Sequence, residues 1–185
     1  MRVLSQVTEM EPTTHTEETW RVPGEPGRHS LLSIVEAVEE KLLASYDDQD
    51  FTIAVGTDSQ IIGNKFCFVS VISIHKKGKG GTYYFKQELS KPSKHMMSNQ
   101  KMRMFEEVTK SLEIAMMIRD LKGIEAQIHI DASPETNTKS FTSKFSEQLK
   151  GYVVSSGFEC LLKPDSYAAN AIADKHTKKK SNGIR

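Results

Sequence analysis

Phe51-Thr52-Ile53-Ala54-Val55-Gly56-Thr57-Asp58-Ser59-Gln60 is the stretch from which the fold can be read. Its first six residues are apolar or β-branched and predict a short buried strand. An aspartate then follows where an ordinary sheet has no need of one. Downstream, Phe66 to Ile74 predicts a stronger second strand. Lys76-Lys-Gly-Lys-Gly-Gly81 reads as a turn, and Thr82 to Leu89 returns as a third strand. Three consecutive strands with tight connections make an antiparallel meander.

On both sides of the meander the spacing turns helical. Ser30 is a good N-cap for Leu31, Ile34, Val35, Val38 and Leu42, which fall on one helical face. After a breaker-rich basic loop, residues 100 to 121 predict a long amphipathic helix ended by Gly123. Ala126 to Ile130 is a fourth strand, stopped at Asp131-Ala-Ser-Pro134. Phe141, Phe145, Leu149 and Tyr152 mark another helix, Phe158 to Leu162 a fifth strand, and Ser166 to about Lys178 a last helix. A meander followed by alternating helices and strands predicts an α/β fold, a five-stranded mixed sheet with helices on both faces. Residues 1–28, rich in threonine and breakers, read as a flexible arm with Trp20 as its one anchor-like residue. The domain is expected over 29–180, followed by a basic tail at 181–185.

Composition narrows the function little. The 185 residues are 37% hydrophobic and 26% charged, with a formal charge of +1. That excludes collagen-like and wholly disordered chains. The two cysteines, Cys67 and Cys160, are too few for a disulfide framework or a self-sufficient zinc site. No apolar run reaches the ~18–20 residues of a membrane span, and the N-terminus has no signal core, so a cytoplasmic location is expected. The Lys76–Gly81 turn lacks the spacing of a phosphate-binding loop.

The carboxylates carry the functional signal. Asp58 follows the first strand and Asp131 ends the fourth. If these strands lie parallel, the two meet at the carboxyl edge, where open α/β sheets hold ligands. Glu106 and Glu107 start the long helix, and Asp174 lies in the last one. Gathered acids raise one another's pKa values unless a cation neutralises them, and hard oxygen donors suit Mg²⁺ or Mn²⁺. Taken singly, each acid is also an ordinary turn former, cap or surface residue. Charge is uneven: residues 75–103 hold eight bases against one acid, Glu88. Lys76, Lys77, Lys79, Lys91, Lys94, Lys101 and Arg103 are the candidate contacts to a nucleic-acid backbone, the alternative being a solvated hairpin.

These residues resemble the ribonuclease H-like superfamily, and more narrowly the YkuK family within it. The resemblance rests on Gly56-Thr57-Asp58-Ser59-Gln60, Glu107-Val108 with Ser111-Leu112-Glu113, His129-Ile130-Asp131, and Lys163-Pro164-Asp165-Ser166 leading to Ala173-Asp174-Lys175-His176-Thr177. It covers about residues 30 to 180. It implies a ribonuclease H-like fold with strand order 3-2-1-4-5 and strand two antiparallel. It also implies hydrolysis of phosphodiester bonds by a pair of Mg²⁺ or Mn²⁺ ions. The carboxylates it implies are Asp58, bridging both ions, Asp131 on the water-activating side, Glu107 and Asp174. Glu106, Asp165 and His176 are alternates. About 13 Å of helix would separate Asp165 from Asp174, so the two do not share an ion pair. The implied substrate is RNA, an RNA–DNA hybrid or branched DNA. The alternative is a catalytically weak or inactive module of the same fold that binds nucleic acid or protein, and a small-substrate phosphatase is a third reading.

Overall fold

A computed structural model of the chain describes residues 19–43, 51–91, 99–137 and 139–181. Helix α1 (Leu31–Leu43) opens the domain, and the Ser30 hydroxyl caps it by accepting from the Ser33 amide at 3.1 Å. Strands β1 (Phe51–Ile62), β2 (Lys65–Lys76) and β3 (Gly80–Ser90) form the meander. Helix α2 (Gln100–Lys122) starts at the Asn99 cap and stops at Gly123, whose φ of 65° suits glycine. Strand β4 (Gln127–His129), helix α3 (Ser143–Ser155) and strand β5 (Glu159–Leu161) follow. A π-helical segment (Ala168–Ala173) runs directly into helix α4 (Asp174–Ser181).

The sheet order is β3-β2-β1-β4-β5. Strand β1 runs antiparallel to β2 and parallel to β4, which is parallel to β5. Fold class and strand order agree with expectation. Alternation along β1 splits the core in two. Ile53 and Val55 face one cluster, which includes Ile34, Val108, Leu112 and Leu149 of α1, α2 and α3. Ala54 faces the other, with Val69, Val71, Ala168 and Ala173.

Several boundaries differ from the reading above. Strand β1 continues six residues past Gly56, because β2 pairs with it as far as Ile62. Asp58 therefore lies inside a strand, opposite Val69, and not after its end. Strand β4 reaches only Ala54 to Gly56, so the β1 edge beyond Gly56 is not paired with it. The last helix begins as a π-helix, which the apolar spacing did not reveal. Part of the expected arm is packed on the domain. Trp20 is buried, Trp20 and His29 pair with each other, and Arg21 exchanges two backbone hydrogen bonds with Phe85 of β3. Residues 1–18 and 182–185 lie outside the described residues.

Candidate metal and catalytic site

The geometry of the site starts from a missing side chain. A Cβ on Gly56 would stand 2.7 Å from the backbone nitrogen of Ala169. Glycine thus lets the π-helical backbone lie directly against β1, and the small Ala168 and Ala173 fill the rest of that contact. Helix α4 is carried along with it, and the Thr177 hydroxyl donates to Asp58 Oδ2 at 2.8 Å. The same hydroxyl lies 2.9 Å from the Asp174 carbonyl oxygen, which joins the two acidic positions through one side chain.

Asp58 and Glu107 reach the open edge of β1 from opposite faces of the sheet. Asp58 points to the α4 side. Ser59, its neighbour, points to the α2 side and donates to Glu107 Oε1 at 2.6 Å. Behind it, Ser111 lies 2.9 Å from the Thr57 hydroxyl and Thr57 3.0 Å from that of Ser70. This buried row of hydroxyls holds the α2 turn that carries Glu107 against the sheet. Glu107 is 8% exposed. Burial, and then the charge of Asp58, pushes its carboxyl up to about 8. Burial also raises Asp58 to about 6, with Asp131 and Asp174 adding to the rise and the Thr177 hydrogen bond opposing it. The two outer acids have cations: Lys163 Nζ lies 2.5 Å from Asp131 Oδ1, and Lys178 Nζ lies 2.5 Å from Asp174 Oδ2.

The alternates separate clearly. Glu106 turns outward, 4.0 Å from Lys110, whereas Glu107 turns inward. Asp165 is exposed and acts electrostatically on His129, while Asp174 acts on Asp58. His176 is stacked on Phe85, with ring centroids 3.8 Å apart, and lies 3.1 Å from the Tyr83 hydroxyl. It packs α4 onto β3. His129 is buried, and its Nδ1 accepts from the Ala168 amide at 3.2 Å. Burial lowers its pKa to about 4, so the ring is neutral and braces the π-helical segment. Lys163, Lys178, Thr177 and Ser111 took no part in the sequence-based site. Helical spacing could have pointed to three of them, Thr177 and Lys178 three and four residues after Asp174 and Ser111 four after Glu107, but not to Lys163.

The basic candidates do not form one patch. Lys76 pairs with Phe51 while Asp58 pairs with Val69. Lys76, Lys77 and Lys79 therefore lie at the far end of the meander, about 23 Å of strand from the acids. They do not flank the site, because a hairpin puts its turn at the opposite end from the residue that faces mid-strand. Lys91, Lys101 and Arg103 lie at the acid end, Arg103 Nε being 3.9 Å from Glu107 Oε1. Lys94 falls outside the described residues.

The donors are all hard carboxylate oxygens, and Glu107 and the partly buried Asp58 stay raised although Arg103 stands 3.9 Å from Glu107. Gln60 Oε1, one alternation beyond Asp58, is a further buried oxygen with no hydrogen-bond partner. That chemistry fits a hard divalent cation. Among the described residues, no three His, Cys, Asp or Glu side chains stand together closely enough to hold a metal ion as they are.

Fold and site define an α/β protein with a mixed sheet and acids at its parallel edge. The chain belongs to the ribonuclease H-like family, whose model matches residues 33–178. Over 140 residues it is 26% identical to the uncharacterized protein YkuK of Bacillus subtilis (strain 168), a match covering 69% of this chain and 80% of that protein. No solved structure matches the chain. No helix of the described residues is long and apolar enough to cross a membrane.

Proposed function

We propose that the protein is a metal-dependent nuclease acting on the phosphodiester backbone of RNA, an RNA–DNA hybrid or structured DNA. The observation that carries this reading is the partly buried Asp58 beside the buried Glu107, raised to about 6 and about 8, with Asp131 acting on both and Asp174 on Asp58. Burying acids in this way is costly for a fold unless a cation compensates them. Asp58, Glu107, Asp131 and Asp174 would hold Mg²⁺ or Mn²⁺, which supplies an activated water and neutralises charge on the leaving oxygen. Ser59 keeps Glu107 oriented, and Thr177 keeps Asp58 and the start of α4 in step. Lys163 and Lys178 place ammonium groups beside the outer acids, where a phosphate can exchange for a carboxylate as their partner.

A second reading, a binding module of the same fold without catalysis, draws on the fact that no three such side chains among the described residues stand close enough to hold a metal ion. One experiment separates the two. Labelled single-stranded RNA, hybrid, single-stranded DNA and a four-way junction are incubated with Mg²⁺, Mn²⁺ or EDTA. The expected result is metal-dependent cleavage that falls at least ~100-fold in Asp58→Asn and in Asp131→Asn. Cleavage that survives both substitutions, or none by the wild type, leaves the binding reading in place.

A further inference from the structure

The seam between α2 and α3 carries an aromatic surface whose inner rings, Phe105 and Phe145, pack on the first core and whose outer rings do not. Phe141 is 51% exposed and Tyr152 38% exposed. Phe105 of α2 lies 6.2 Å from the Tyr152 ring, and Phe145 lies 5.4 Å from the Phe141 ring. Lysines sit over these rings. Lys101 Nζ is 5.8 Å from the Phe105 centroid and 5.4 Å from that of Phe145, and Lys144 Nζ is 5.7 Å from that of Phe141. Of the nearby acids, Glu106 lies 4.0 Å from Lys110, while Glu147 of α3 is exposed. Three of the rings come from the stretch 141–152, Phe141 just ahead of α3 and the other two on it, and α2 adds Phe105.

The surface also adjoins the acids. The Ser133 amide donates to Thr142 Oγ1 at 3.0 Å, which folds the start of α3 back beside the loop leaving Asp131. On α2, Lys101 reaches the rings while Arg103, two positions later, reaches toward Glu107. A chain crossing the first turns of α2 would pass from the rings to the carboxylates.

We propose that this surface is a stacking platform for single-stranded nucleic acid, its rings taking bases and its lysines the intervening phosphates. As a choice of substrate it rests on the nuclease reading above; as a binding surface it does not. Aromatic rings accept any base by its π-face, and a duplex keeps those faces inside its own stack. The complementary charge of Lys101 and Lys144 selects a polyanion over an apolar protein segment.

The test is equilibrium binding of a labelled 12-nucleotide single strand in EDTA, where no metal-dependent cleavage can occur. A duplex of the same length and an abasic strand serve as controls. The expected result is that Phe141→Ala and Tyr152→Ala each weaken single-strand binding about tenfold. Duplex and abasic binding should not change, and Phe141→Trp should retain affinity. Both sites are half-exposed, and unchanged thermal unfolding of the variants would confirm that the fold is kept. Equal affinity for strand and duplex, no single-strand binding by the wild type, or full affinity in both alanine variants overturns the proposal. Single-strand binding in EDTA without any cleavage in Mg²⁺ supports the platform and removes the nuclease reading. Cleavage with undiminished binding by the variants does the reverse.

Discussion

Glu107 is the residue at which the fold and the proposed chemistry pull in opposite directions. In the folded protein its carboxyl titrates near 8, against an ordinary value of 4.5. A raised folded pKa means that the native state holds the proton more tightly than the unfolded chain. Native stability is therefore undiminished below about pH 4.5 and is lost progressively as the pH rises through 8. Glu107→Gln keeps the shape and removes the titration. In EDTA, the variant should gain on the wild type by a few kcal/mol between pH 4.5 and pH 8, read by urea unfolding. A gap that is flat with pH would show that Glu107 is not buried as a charge. Saturating Mg²⁺ should close much of the gap at pH 8 by stabilising the wild type alone. In the sequence, Glu107 could be preferred to Glu106 only through a resemblance, since both open the same helix. The structure shows the physical difference, a 2.6 Å hydrogen bond from Ser59 on one and an outward lysine on the other.

Among the elements, the π-helical segment was the least legible and does the most to place the site. Alanines at 168, 169 and 173 read equally well as α-helix. What identifies their role is the backbone of Ala169 pressed on Gly56, a contact between residues far apart in the chain. Gly56→Ala would force a methyl to 2.7 Å from a backbone nitrogen, which no rotamer change can relieve. The substitution should cost about 2–3 kcal/mol in chemical unfolding, in the range of an overpacked core. A loss below about 0.5 kcal/mol would mean the segment is free to move off the strand. The long elements were easy to read from spacing. The 23-residue α2 and the 12-residue β2 each carry many apolar positions in phase. Strands β4 and β5 are three residues each, shorter than the apolar runs predict, because Phe158 is buried while its amide turns back to Val153 of α3, and Ile130 adds only a single amide bond to Leu161 beyond the ladder.

At the scale of the whole molecule, linear charge density proved a poor guide to surface charge. The bases of residues 75–103 count as one cluster along the chain, yet the hairpin sends three of them to the far end of the sheet. Phe105 shows the converse, distant in sequence from Phe141, Phe145 and Tyr152 yet 6.2 Å from the Tyr152 ring. The lead-in strand is a third feature that only the folded chain displays. Arg21 meets β3 at a single position, Phe85, with hydrogen bonds of 2.9 and 3.0 Å. Arg21→Pro removes one of those donors and leaves Trp20 in place. The expected outcome in light scattering is more association with rising concentration than the wild type shows, with Arg21→Ala matching the wild type. A monomeric proline variant would show that the edge needs no guard. Strand β3 is the outer strand of the meander, and an edge strand's amide and carbonyl groups are a template on which another chain could add a strand; among the described residues Arg21 takes two of them. By lying on that edge at Phe85, the lead-in stretch occupies part of the surface on which two copies of the chain could join edge to edge.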